Sequence, residues 1–195
     1  LSVTANGTTY ANGALTLTSF ADPSRYDFVR SYDATNGATT ATLIAGVATA
    51  TQDVRADGTA AYTGDAQATV IVGSTGTTLS DGRAQVTVDF AKSDVDVALD
   101  NFTARDFGGT LVATPVTDVF IDNMEITGNT FAGGTLTLLN NGASASVLGD
   151  DPVAAAAGSF FGYDASGGES VPDEVGGAFS ASGNSGQIFG IFVGD

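Results

Sequence analysis

The chain has 195 residues with no cysteine and no histidine, and its 22 acidic residues outnumber 6 basic ones to give a formal net charge of −16. These figures exclude disulfides, thiol catalysis, zinc sites of the usual kind, histidine acid/base chemistry and His-ligated haem, and so acidic a surface repels nucleic acid and anionic headgroups. A chain of this length buries about 70% of its unfolded surface without a covalent staple, and its short alternating runs between Asn-Gly and Asp-Gly pairs, with 26 Gly, 12 Phe and no Trp, point to an all-β protein.

Residues 1–56 read as an N-terminal β handle region. Asn6-Gly7 and Asn12-Gly13 are hairpin-turn pairs beside short β-prone runs, Leu15 and Leu17 share a strand face, and Asn36-Gly37 turns the chain into an alternating run over 38–52. Between them Tyr26, Phe28, Arg30 and Tyr32 fall on one face of a strand, with Asp27, Val29 and Ser31 on the other. Aromatic rings beside an arginine have two readings. They stack on a flat ligand or anchor a protein partner, or they pack the small sheet onto the rest of the chain while Arg30 snorkels to water.

Residues 57–195 carry the longer strands. A first strand runs from Gly58 to about Val72, and a polar turn follows over 73–82. Then Val86, Val88 and Phe90 face inward, Ala91-Lys92-Ser93 turns, and Val95, Val97 and Leu99 return inward. Asp94, Asp96 and Asp100 lie outside on that hairpin. Without a glycine-turned loop to wrap a cation, they read as carboxylates that discourage edge pairing rather than as a calcium site. Residues 107–115 cross between strands, 117–127 and 130–139 give two more, and Asn140-Asn141-Gly142 turns into 143–148. The alanines at 154–157 lead as strand into Gly158-Ser159-Phe160-Phe161-Gly162. Ser170-Val171-Pro172-Asp173 reads as the start of a short helix, capped by Ser170 and stopped by Gly176 and Gly177. Next, Val175, Gly177, Phe179 and Ala181 share one face of a strand. The last strand is apolar on both faces, Ile188 and Phe192 against Phe189, Ile191 and Val193. Either another part of the chain covers the outer face, or Phe189, Ile191 and Val193 form a patch for a partner.

No catalytic arrangement emerges. Glu125, Glu169 and Glu174 are the only glutamates, the aspartates are scattered over turns, and Lys92, the only lysine, sits in a tight turn, so neither an acid/base pair nor a Ser-Lys pair is in evidence. The loop from Gly73 to Thr78 lacks the lysine and following helix of a phosphate loop. Nothing brings Tyr10, Tyr26, Tyr32, Tyr62 and Tyr163 together around iron, and Met124 reads as core filler rather than a haem ligand. The chain therefore reads as non-enzymatic, with no cofactor and no metal site. No apolar run approaches the ~20 residues of a membrane helix, and the start at Leu1, without a signal-peptide pattern, reads as a mature or trimmed product.

Three stretches stand out. They are Gly58-Thr59-Ala60-Ala61-Tyr62-Thr63-Gly64; Val88-Asp89-Phe90 with Leu99-Asp100-Asn101-Phe102; and the tail from Ala157 to Asp195, with its Gly-Ser-Phe-Phe-Gly and Gly-Gly-Ala-Phe-Ser-Ala-Ser-Gly runs. Together they resemble the β-barrel of the transferrin-binding protein B family of bacterial surface lipoproteins and related secreted proteins. The resemblance implies an antiparallel eight-stranded up-and-down β-barrel with a filled interior, the tail zipped against the Gly58 strand, preceded by a small strand-rich handle. It also implies an extracellular or outer-surface location. The implied partner is a protein, such as a host or environmental iron protein, or a haem source, held by loops at one barrel rim together with the Tyr26 to Tyr32 face. The rival expectation is a self-assembling subunit of an extracellular filament or surface layer, whose partner is a copy of itself.

Overall fold

The computed structural model describes residues 3–5, 8–10, 16–19, 21–22, 24–35, 40–162 and 171–195. The Asn6-Gly7, Asn12-Gly13 and Asn36-Gly37 turns, Leu15, Tyr163, Glu169 and Ser170 lie outside them. A hairpin of β1 (Val3–Ala5) and β2 (Thr8–Tyr10) comes first, then a three-stranded sheet of β3 (Thr16–Ser19), β4 (Val29–Thr35) and β5 (Thr40–Gly46). A 3-10 turn (Thr51–Asp53) precedes the long strands. These are β6 (Thr59–Val72), β7 (Thr75–Asp89), β8 (Asp94–Asp100), β9 (Thr103–Asp106), β10 (Asp118–Thr127), β11 (Thr130–Asn140), β12 (Ala143–Ser144), β13 (Val153–Phe161), β14 (Glu174–Ser182) and β15 (Gly186–Gly194).

Eight of them, β6-β7-β8-β10-β11-β13-β14-β15, pair in chain order, every pair antiparallel. The circuit closes where β15 returns to β6, in register from Gly186↔Val72 to Gly194↔Gly64. It is an up-and-down barrel without a free edge at its closure. Strand alternation sends apolar side chains inward and polar ones outward: Ala84, Val86 and Val88 are buried on β7 while Arg83, Gln85 and Thr87 face water. That is the reverse of a membrane-spanning barrel.

The interior is solid. Phe160 stands with ring centroids 5.8 Å from Phe90 and 5.3 Å from Phe131, and Phe131 is 6.5 Å from Phe192. Glycines make room for these rings, since a Cβ on Gly158 would come within 2.2 Å of the Phe131 ring. Val147 and Leu148, buried in the same cluster, stopper one end. The loop that carries them is tied down by the Ser185 N–H to the Leu148 carbonyl (3.0 Å).

Three expectations change. Residues 73–82 are no long turn: the chain reverses at 73–74, and β7 begins at Thr75 and gains a second partner in β9. No helix follows Pro172, because β14 starts at Glu174 and its Gly176 and Gly177 lie in ladder pairs with β13 and β15. Asp94, Asp96 and Asp100 guard no edge, since β8 is paired on both sides. Instead Asp96 accepts the N–H of Asn123 (2.8 Å), where the β10 register slips, and Asp100 holds Arg83 at 2.6 Å. Burial and the neighbouring Asp96 push the Asp94 carboxyl above its usual range.

Strand direction puts the turns 73–74 and 183–185 and the loops 101–117 and 141–152 at one rim. The turns 90–93 and 128–129, Gly162 and residues 171–173 lie at the other.

Candidate functional site

The handle sheet sits on the outer wall of the barrel near the second rim, and a carboxylate seats it. Glu174, 4% exposed, accepts the backbone N–H groups of Asp27, Phe28 (3.0 Å) and Val29 (2.6 Å). A charged acceptor makes each of these bonds stronger than a neutral one. Around it Ala21, Tyr26 and Val29 of the handle form a small core with Phe161 and Val193 of the barrel, and Phe28 and Ile44 pack against it. The chain then leaves β5 along the foot of β13, with Gly162 N–H on the Val47 carbonyl and Thr49 N–H on the Phe160 carbonyl, both 3.0 Å.

The candidate site residues divide between this junction and the surface. Tyr26, Ile191 and Val193 are at most 2% exposed, so the chain itself covers them, and at Val193 the cover is the handle's Ala21, Tyr26 and Val29. Phe28, Arg30, Tyr32 and Phe189 are half-buried. The side expected to carry Asp27, Val29 and Ser31 points inward at Val29 and Ser31, which are buried, because β4 begins only at Val29. Arg30, half-buried, donates through Nη1 to the carbonyls of Tyr26 and Val29.

Sequence reasoning missed Arg25 and Asp65 in this junction. Arg25 donates to the Asp195 carboxylate (2.7 Å) and to the Thr63 carbonyl (2.9 Å), and lies 5.3 Å above the Tyr26 ring. Tyr26 donates to Asp65 (2.9 Å), and Tyr62 to the Pro172 carbonyl (2.9 Å). Both phenols are pushed up from their ordinary value, Tyr26 by burial and then its bond to Asp65, Tyr62 by burial and then the charge of Asp173. A raised folded pKa stabilises fully below the unfolded value of about 10 and is lost as pH climbs above it. An alkaline spectrophotometric titration is expected to show a late phenolate step coincident with unfolding. Its amplitude should fall by one tyrosine in each of Tyr26→Phe and Tyr62→Phe, and a wild-type titration completed before unfolding would contradict this.

The first rim presents a different surface. Phe107 and Leu111 are 66% and 64% exposed, and Val112 and, at the end of β6, Val72 are exposed at the same rim. Their loop is braced: the Asp106 N–H donates to the Thr110 carbonyl (2.9 Å), the Asp106 carbonyl accepts the Gly109 N–H (2.9 Å), the Asp106 side chain accepts the Thr110 N–H (2.8 Å), and Arg105 donates to the Gly109 carbonyl (3.0 Å). Phe107 lies over Gly76 of β7, where a Cβ would sit 2.1 Å from the ring. The rim therefore offers rigid apolar side chains to solvent.

The family model described as the C-lobe and N-lobe β-barrels of transferrin-binding protein B matches residues 51–195. The chain belongs to this family. Among solved structures, a double mutant of transferrin-binding protein B from Haemophilus parasuis superposes with TM-score 0.64 at 18% identity, over 100% of this chain and 36% of that one. The isotype 1 protein from Neisseria meningitidis gives 0.62 at 20%, over 95% and 35%. The N-lobe domain of lactoferrin-binding protein B from Moraxella bovis gives 0.53 at 18%, over 94% and 80%. The chain thus spans about a third of the length of the two transferrin-binding proteins and most of the isolated lobe. Comparison with curated proteins finds no match. Handle and barrel together fall within the similarity to these structures, which at such identity is a likeness of fold.

Proposed function

We propose that the chain is a non-enzymatic binding module at a bacterial surface or in a secreted protein, capturing a protein partner, an iron carrier of the transferrin class, through the loop rim. The observation that carries this reading is the braced turn holding Phe107 and Leu111 two-thirds exposed, because large apolar side chains held out in water mark interfaces and need no ordering on contact. The half-buried handle residues Phe28 and Tyr32, with Phe189 on the wall, supply a second contact. Barrel interior residues fill the space a small molecule needs, which favours a protein over a ligand held inside. Self-assembly into a filament is the less favoured reading, since Val193 on the outer face of the last strand is covered by Tyr26 and Val29.

The test is a binding isotherm of the intact chain against transferrin-class proteins. Phe107→Ser with Leu111→Ser is expected to weaken saturable binding at least about tenfold, as loss of a hot spot does, with thermal unfolding unchanged. An unaltered affinity for the double variant would sink the rim as the contact.

A further inference from the structure

One seam of the barrel is short. β11 and β13 share three rungs, Thr130↔Ser159 to Ala132↔Ala157, whereas β13 stays paired with β14 as far as Val153↔Ser182 and β11 with β10 as far as Leu139↔Asp118. The cause is local. Gly133 and Gly134 adopt left-handed backbone, φ +89 and +81, opposite Asn123 at φ +60 on β10. A side chain on Gly134 would meet the Asp122 carbonyl at 2.7 Å, so only glycine permits the kink that turns β11 away.

Beyond the kink β11 takes β12 as its neighbour, at Leu139 and Asn140, and among the described residues β13 has no ladder partner on this side from Val153 to Ala156. Cross-strand register places Leu136 beside the inward Ile121, and Ala154 beside the inward Ala181, yet Leu136 is only half-buried and Ala154 is exposed. Nothing lies within 4 Å of a Cβ built on Gly133.

The backbone groups on this side of the strand follow from the foot of β13. There the Phe160 N–H donates to the Asn129 carbonyl and the Phe160 carbonyl accepts from Thr49. Alternation aims the N–H groups of Ala154 and Ala156, and the Ala154 carbonyl, to the same side. Natural edges are guarded by lysine, proline or bulges. From Val153 to Phe161 there is none of these and no charge, and Val153 is 73% exposed.

We infer that the β13 edge takes up an extended segment of a basic partner polypeptide by strand addition, at a site that does not include Phe107 or Leu111. Run antiparallel to β13, the segment ends beside the exposed Asp150 and Asp151. No Lys or Arg follows Arg105 in the sequence, so β10 to β15 and the loops between them contribute only negative side-chain charge. The chemistry this edge calls for is alternating β-branched residues closed by Lys or Arg. A second copy, itself at −16, is repelled.

The probe is the N-acetylated hexapeptide Thr-Val-Thr-Val-Lys-Lys, offered to the intact chain. Saturable binding is expected, with slowed amide exchange at Ala154 and Ala156. Binding should weaken about tenfold or more when the peptide amides that face β13 are N-methylated, and similarly in Ala154→Lys. N-methylation leaves the protein untouched, so a folding defect in the variant does not cloud the outcome. Equal affinity of the methylated peptide, or no saturation up to about 1 mM, would overturn the proposal. So would exchange protection that grows with protein concentration without peptide, since the occupant would then be a second copy. None of these readouts involves Phe107 or Leu111, so the rim reading stands or falls separately.

Discussion

Glu174→Ala is expected to destabilise the chain by about 3–5 kcal/mol, the scale of leaving two or three backbone donors without their acceptor at about 1–3 kcal/mol each, and to lift the handle from the barrel wall. The carboxylate is 4% exposed and satisfies three consecutive backbone donors, Asp27, Phe28 and Val29. Without it those donors lose their acceptor, and an unmet buried donor costs about 1–3 kcal/mol. The apolar contacts among Tyr26, Val29, Phe161 and Val193 remain, yet they form only where the backbone at 27–29 is held against β14. Glu174→Gln retains one carbonyl acceptor and sets an NH2 group against an N–H, so its loss falls between. Urea unfolding of the three proteins gives the ordering. Limited trypsin digestion gives the location, with cleavage at Arg25 or Arg30 accelerated while the barrel strands survive. An alanine variant within about 0.5 kcal/mol of the parent, cleaved no faster, would mean that the apolar contacts alone seat the handle.

The barrel was legible because a half-buried strand writes its two faces into the sequence. Val86, Val88 and Phe90 against Gln85, Thr87 and Asp89, and the mirror run at Val95, Val97 and Leu99, gave strand, face and turn together. The tail was legible through its glycines, which sit opposite large rings such as Phe131 and Phe192. The first half of β7 was not, because Thr75 to Gly82 pairs with β6 and β9 through backbone and buries few apolar side chains, Leu79 chief among them. The helix expected after Ser170 shows the limit of capping chemistry. Pro172, Asp173 and Glu174 suit a helix start, but a glutamate is equally suited to receive three N–H groups from a chain 145 or more residues away, and no local spacing announces that. The same limit explains the handle strip: alternation assigned the aromatic residues to one face, but not which face meets the barrel. The short seam was invisible for a related reason, since Gly133-Gly134 reads as a weak strand until φ is known.

The seam also fixes where the barrel is most easily broken from inside. With three rungs between β11 and β13, the junction depends on side chains more than on backbone, and Phe160 is the chief of them: fully buried, between Phe90 at 5.8 Å and Phe131 at 5.3 Å. Phe160→Ala is expected to cost about 3–5 kcal/mol, lost transfer energy plus the cavity left behind. Phe160→Leu should cost less, because it keeps most of the volume. The position also predicts where the loss appears. Amide exchange should quicken first at 130–132 and 157–159, before the β6–β15 closure with its nine paired residues, since local opening follows the weakest contacts. Phe107→Ala, removing an equal ring that is 66% exposed, should leave the unfolding midpoint almost unmoved. If Phe160→Ala matched Phe107→Ala in stability, or opened β6–β15 before β11–β13, the aromatic stack would not be what holds the seam, and the β13 edge would owe its position to the handle segment at 47–49 instead.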